Sequence, residues 1–253
     1  MEKYFNKVIF FDLYQTLLDV ELSVNNPNHE IEGWDGFAKT LIKYGKKISG
    51  LEFYKLYIKR RDDFYFNKSK EVYHHNLFKI TADVLGKDLG LNLSNEEITE
   101  LIYIYRKSSR GHLRLYPGVF DMLSRLSKEY TLSTASHTQG SFAQIELREL
   151  NIEQFFSYFV YSSNIGFRKE SVEFYKCALE IVGKEAIDCL MVGDNYDVDV
   201  LVPKKLGINT VWLENPITSS RCAESIKEYP PQNVIKLENI QTLPDLIKLL
   251  IAK

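Results

Sequence analysis

Four short stretches of the 253-residue chain concentrate the side chains that could do chemistry. They are Asp12-Leu13-Tyr14-Gln15-Thr16, Ser136-His137, Arg168-Lys169 and Gly193-Asp194, the last followed by Asn195, Asp197 and Asp199. A carboxylate can act as a covalent nucleophile or as a hard oxygen ligand for a cation; an ammonium offsets anionic charge, and hydroxyls hold oxyanions. Taken singly, each residue has an ordinary structural explanation. An Asp at a strand end caps the next helix, a Ser closes a turn, and a Lys beside an Arg is solvated. Their joint placement is what calls for another explanation.

That placement follows from the elements around them. Val8-Ile9-Phe10-Phe11 is a β-branched and aromatic run that stops at Asp12, the pattern of a buried strand over 8–12. After Pro117-Gly118 the chain alternates: helix 119–128, strand 131–136, helix 139–150, strand 158–162, helix 170–183, strand 189–193, a helix near 198–206 and strand 210–213. A last strand (Val234–Leu237) and helix (Leu243–Ala252) follow. Short apolar strands alternating with amphipathic helices predict an α/β fold, a doubly wound parallel sheet with right-handed crossovers. Ligands of such sheets bind beyond the carboxyl ends of the strands, which is where the polar stretches fall.

From about 34 to 109 strand signals almost vanish. Helical spacing takes over in Phe37/Leu41/Tyr44, Phe53/Leu56/Tyr57, Leu77/Ile80/Val84 and Ile98/Leu101/Ile102/Tyr105, and Ser94 with Glu97 makes a capping box. About four helices are expected there. The first strand belongs with the later ones, so residues 1–18 and 114–253 form the expected core and 19–113 an inserted α-helical subdomain.

Composition excludes several classes. The chain is 45% hydrophobic and 26% charged, which rules out disorder and low complexity. With 32 Lys and Arg against 34 Asp and Glu, its net charge of −2 offers no generic attraction to nucleic acid or anionic membrane. Nowhere do ~18 apolar residues run together. Cys177, Cys189 and Cys222 form no CxxC and no zinc-ligand spacing, so the expected compartment is reducing and cytoplasmic.

In this order, the four stretches resemble the motifs of the haloacid dehalogenase-like (HAD) hydrolase superfamily, in the branch with a helical cap inserted after the first motif. The resemblance spans nearly the whole chain and implies a Rossmann-like core. It also implies a magnesium-dependent phosphohydrolase acting on a small phosphorylated metabolite. Asp12 would be the nucleophile that becomes an aspartyl-phosphate. Asp12, Asp194 and the Tyr14 backbone carbonyl would hold Mg²⁺. Lys169 would neutralise the nucleophile and phosphate, with Thr16 and Ser136 holding phosphoryl oxygens and His137 and Asn195 also facing substrate. Gly193 supports the fourth motif, and either Asp197 or Asp199 would orient Lys169 or a metal-bound water. Between monomer and homodimer the sequence does not decide.

Three residues depart from that pattern. Tyr14 stands where phosphatases carry the Asp that protonates the leaving oxygen and then activates water, His137 where Asn is common, and Glu170 where Pro is usual. A phenol with pKa near 10 is a poor base, and losing a positioned acid/base typically costs ~10²–10⁴-fold. A slow phosphatase is therefore expected. Tyr14 also resembles the Asp-x-Tyr-Gly-Thr motif of 2-haloacid dehalogenases, which work without metal through an ester at the same Asp. Against that alternative, those enzymes lack the Gly-Asp pair, and this chain has no Arg between Asp12 and Arg60. A phospho-ligand-binding family member of little or no activity is the other alternative. Lys59–Asp63 is read as a solvated face, His74, His75 and His112 as surface or core residues, and the aromatics between Tyr54 and Tyr105 mostly as core.

Overall fold

In the computed structural model, which describes residues 6–22 and 29–251, the first apolar run becomes the central strand of the sheet. The elements in chain order begin with β1 (Val8–Phe11), β2 (Leu18–Leu22), α1 (His29–Thr40), α2 (Gly50–Tyr65), α3 (Leu77–Asp83), α4 (Asn95–Ser108) and β3 (Arg110–Leu115). Next come α5 (Val119–Leu126), β4 (Thr131–Ser136), α6 (Gly140–Glu149), β5 (Tyr158–Tyr161), α7 (Ser162–Ile165), α8 (Val172–Val182) and β6 (Cys189–Gly193). The rest are α9 (Val202–Lys204), β7 (Asn209–Glu214), α10 (Ala223–Glu228), β8 (Val234–Lys236) and α11 (Leu243–Ile251).

Six strands pair in parallel in the order β5-β4-β1-β6-β7-β8. Alternation along β1 shows why the sheet is buried on both sides. Ile9 and Phe11 pack with residues of α5, α6 and α11, whereas Val8 and Phe10 pack with Phe174, Tyr175 and Ala178 of α8. Every one of those strand residues is fully or almost fully buried, as a two-faced parallel sheet requires.

Between β2 and β3 the chain forms a helical block in which α1 packs against α2 and α4. Its centre is aromatic: Trp34 lies 4.2 Å from Tyr105, 5.1 Å from Phe53 and 5.0 Å from Tyr57, ring centre to ring centre. The expected capping box at Ser94 and Glu97 opens α4, and a second, at Ser49 and Glu52, opens α2. Phe66 departs from the aromatic expectation, being 84% exposed just beyond the end of α2.

Two local expectations are corrected. No strand is expected between the first and the one after Pro117, yet β2 and β3, which flank the strandless 34–109 stretch, pair antiparallel and carry the chain into and out of the helical block. The alternation in β2 covers only five residues, and β3 (Arg-Gly-His-Leu-Arg-Leu) is largely exposed, so neither has a strong hydrophobic signature. Cross-strand charge pins the register: Asp19 accepts from Arg114 Nε at 2.7 Å and lies 3.0 Å from His112 Nε2. The single helix expected near 198–206 is instead a π-type turn over Tyr196–Leu201 running into the short α9. Pro203 brings no N–H to a helical ladder, and the wide turn aims Asp199 inward.

Candidate active site

The β1, β4 and β6 ends and the segment before α8 surround one cavity of about 210 Å³, lined among others by Asp12, Tyr14, Ser136, His137, Lys169, Glu170, Asp194, Asn195 and Asp199. Asp12 follows β1 directly, and its N–H donates to the Val192 carbonyl of β6, which holds the two strand ends together. Lys169 is 1% exposed and donates from Nζ to Asp12 Oδ1 at 2.8 Å, while also contacting Asp199. Burial alone would lower the lysine's pKa, but the Asp12 and Asp199 carboxylates outweigh it and hold the ammonium charged, above the usual lysine range.

Asp194 and Asp199 behave in the opposite sense. Burial, then repulsion from Asp12, pushes the Asp194 carboxyl up to about 6 against hydrogen bonds from Thr16 and Thr218. Burial likewise pushes Asp199 up to about 7, with Lys169 opposing and Asp12 and Asp194 reinforcing the rise. Asp199, rather than Asp197, is the acid that faces Lys169. Gly193 makes this possible: a Cβ there would overlap the Asp199 carboxylate, so only glycine lets the turn fold back over the end of β6.

Thr16 does not reach the cavity wall. Its hydroxyl donates to Asp194 Oδ1 at 2.7 Å and accepts from the Asp194 N–H at 3.1 Å, so its one proton is committed to positioning that acid rather than to an oxyanion. Ser136 is 1% exposed at the end of β4 and faces the cavity, as does the exposed Asn195, whose N–H donates to Asp199. Gln15 sits in the left-handed region at φ +63°, a conformation that favours glycine. Asn215 Nδ2 donating to its carbonyl at 2.7 Å and Tyr116 OH donating to its side chain at 2.7 Å hold it there.

Tyr14 is the departure with a structural explanation that sequence could not supply. Its hydroxyl donates to Glu146 Oε2, and Glu146, fully buried on α6, takes Arg106 Nε at 2.8 Å and Arg110 Nη1 at 2.7 Å on its other oxygen. The Arg106 guanidinium lies 5.3 Å from the Tyr14 ring centre. Burial and then the Glu146 charge hold the phenol well above its ordinary pKa. The hydroxyl's only proton is therefore spoken for, and both arginines that come near are bound to an internal acid.

A second polar seam joins the helical block to the sheet. His74 Nε2 accepts from Gln139 Nε2 at 3.1 Å, and its Nδ1 lies 2.7 Å from Ser162 Oγ, whose own proton goes to the Thr138 carbonyl. This chain of donors requires a neutral His74 protonated at Nδ1, consistent with burial lowering its pKa to about 3. His75 accepts or donates between Tyr57 and Tyr65 hydroxyls at 2.8 and 3.1 Å. Sequence placed these histidines on the surface or in a core; they are half-buried at a boundary, while His112 is exposed on β3.

Asp12, Asp194 and Asp199 offer carboxylate oxygens within 4.8 Å of one another, the one such acid, His or Cys cluster among the described residues. Three carboxylates crowd the buried Lys169 ammonium, with Arg221 and Glu170 a further cation and acid on the cavity wall, and a divalent cation would neutralise the remaining negative excess. No backbone hydrogen bond among the described residues ends on the Tyr14 carbonyl, which leaves a fourth oxygen available. An all-oxygen set of this kind fits Mg²⁺.

These side chains stand at the carboxyl edge of a doubly wound α/β sheet interrupted by a helical block. The family model for haloacid dehalogenase-like hydrolases matches residues 52–213, and the chain belongs to that family. It is 26% identical over 213 residues to a glyceraldehyde 3-phosphate phosphatase of Pyrococcus abyssi, covering 82% of this chain and 81% of that one. A protein of the same name from Methanothermobacter thermautotrophicus is 25% identical over 253 residues, covering 96% and 99%. Among solved structures, a 2-haloacid dehalogenase from Pseudomonas syringae superposes with a TM-score of 0.59 at 16% identity, over 96% of this chain and 99% of that one, which shows a shared fold. Among the described residues no helix is long and apolar enough to cross a membrane.

Proposed function

We propose that the chain is a magnesium-dependent phosphohydrolase that cleaves a small phosphorylated metabolite through a covalent aspartyl-phosphate at Asp12. The observation that carries this is Asp12 paired with a buried Lys169 and facing Asp194 and Asp199 in one cavity. The names of the relatives support phosphate esters as substrates, and three-carbon sugar phosphates are the natural first probes.

Mg²⁺ bound by Asp12, Asp194 and the Tyr14 carbonyl would bring nucleophile and phosphate together by screening their mutual repulsion. Lys169 supplies fixed positive charge beside the attacking oxygen, and Asp199 holds that ammonium in place. Ser136 is placed to donate to a phosphoryl oxygen, with His137 and Asn195 on the same wall. Thr16 keeps Asp194 aimed. Tyr14, its proton held by Glu146, gives no help to the leaving oxygen, so esters with acidic leaving groups are cleaved fastest. Residues 19–113 act as a cap over a core of 1–18 and 114–253, its entry and exit made by the β2–β3 ribbon. The three free cysteines fit a cytoplasmic setting.

The test is phosphate release with and without Mg²⁺, for wild type beside Asp12→Asn. Release that requires Mg²⁺ and falls at least ~10³-fold in the variant is expected. Equal activity in the two proteins removes Asp12 from its role. Metal-independent halide release from 2-haloacids would favour the dehalogenase chemistry that Tyr14 resembles.

A further inference from the structure

We propose that His137, oriented by Glu170, is the general base for the water that hydrolyses the aspartyl-phosphate, the task Tyr14 cannot perform; this rests on the phosphohydrolase reading above. The residues at which this chain departs from the family pattern do not scatter. Tyr14, His137 and Glu170 all line the cavity that holds Asp12. Tyr14 has been drawn off to Glu146, and the other two have come together: His137 Nδ1 lies 3.6 Å from Glu170 Oε2. Arg168 Nη2 donates to the other Glu170 oxygen at 2.9 Å, which fixes the carboxylate.

The Glu170 carboxylate, 3.6 Å from Nδ1 and too far for a hydrogen bond, acts through its charge, which favours the proton on that nitrogen and leaves the Nε2 lone pair open. Nε2 makes no hydrogen bond among the described residues. The charged and titratable groups facing the ring are Glu170, Arg168 and Lys169 from the segment before α8, Asp12 from the β1 loop, and His74 and His75 from the segment before α3. Burial and then Arg168 outweigh the two acids and lower the imidazole's pKa to about 4, so it is neutral at pH 7. A neutral imidazole is able to accept a proton from water, which the Tyr14 phenol, its hydroxyl bound to Glu146, is not.

In the step, the water oxygen bonds to phosphorus as His137 takes one of its protons. The bond between phosphorus and the Asp12 oxygen breaks, its electron pair returning to the carboxylate, and inorganic phosphate departs. The imidazolium then gives its proton to solvent.

The experiment uses the full chain, Mg²⁺ and p-nitrophenyl phosphate, whose leaving group departs without a proton. In His137→Asn, the first-turnover burst of p-nitrophenolate is expected within threefold of wild type, with steady-state turnover down ~10²-fold and acid-quenched protein phosphorylated at Asp12. The retained burst certifies that the variant is folded. Glu170 is a positioning residue: Glu170→Gln lowers turnover about tenfold and alters the pH dependence of dephosphorylation, and Glu170→Asp recovers most of it. A His137→Asn protein that turns over like wild type, or that loses burst and turnover together, overturns the role of His137 alone. Wild type that neither labels at Asp12 nor releases phosphate overturns the phosphohydrolase reading itself.

Discussion

Replacing Glu146 by Gln tests whether the ion-pair cluster beneath Tyr14 supports the fold. Glu146 is fully buried and accepts from three donors, Arg106, Arg110 and Tyr14, on its two oxygens. The amide keeps one oxygen but turns an NH₂ toward a donor, and it removes the charge that compensates two cations whose side chains are 9% and 5% exposed. Arg110 retains Glu149 at 2.8 Å, so the stranded charge is chiefly that of Arg106. Breaking a buried pair from one side costs about 3–5 kcal/mol. For a chain of this length each kcal/mol moves the melting midpoint by roughly 2 °C, so a fall of ~6–10 °C is expected by scanning calorimetry at pH 7. Removing both charges with Glu146→Met and Arg106→Met together should recover more than half of the loss, because two apolar side chains leave no orphaned ion. A shift below 2 °C in the single variant, or a double variant worse than the single, would refute the view that an uncompensated charge is the cost.

Two further outcomes follow from the acids. In the metal-free protein Asp194 and Asp199 hold protons up to about 6 and 7, above their unfolded values near 4. The stability they contribute is full at low pH and lost as pH rises through that window, so Mg²⁺, whose proposed ligand Asp194 must be ionised, should raise the melting temperature more at pH 8 than at pH 5.5 in a thermal-shift titration. A Mg²⁺ effect independent of pH would count against Asp194 as one of its ligands. Tyr14→Asp should speed hydrolysis of alkyl phosphates, whose leaving oxygens need a proton, by ~10-fold or more while changing p-nitrophenyl phosphate far less. An unchanged ratio of the two rates would mean that Tyr14 is not the deficit.

The sheet was legible because its strands are short apolar runs with polar endings, and residues at strand ends in a parallel sheet necessarily share an edge. Asp12, Ser136 and Asp194 therefore come to one cavity, and Lys169 joins them there on the segment before α8. Asp199 could not be separated from Asp197 by spacing, because a π-type turn is invisible to helical periodicity; Gly193, whose absent side chain makes room for Asp199, was the available clue. Thr16 reads as an oxyanion donor in sequence, yet its bond to Asp194 spans 178 positions, a contact no local pattern encodes. The same holds for Glu146, an unremarked acid on an amphipathic helix that becomes the partner of Tyr14. His74 and His75 looked bland because their partners, Ser162 and Gln139 on one side and Tyr57 and Tyr65 on the other, lie in separate elements.

The segment before α3 is stitched to the segment before α8. His74 N–H bonds the Gly166 carbonyl at 2.9 Å, Arg168 N–H bonds the Val72 carbonyl at 2.8 Å, and the Tyr73 and Phe167 rings stack between them. Lys169 is the next residue along. The main-chain bonds that anchor the helical block at this point therefore also fix where the backbone of Lys169 enters the sheet edge.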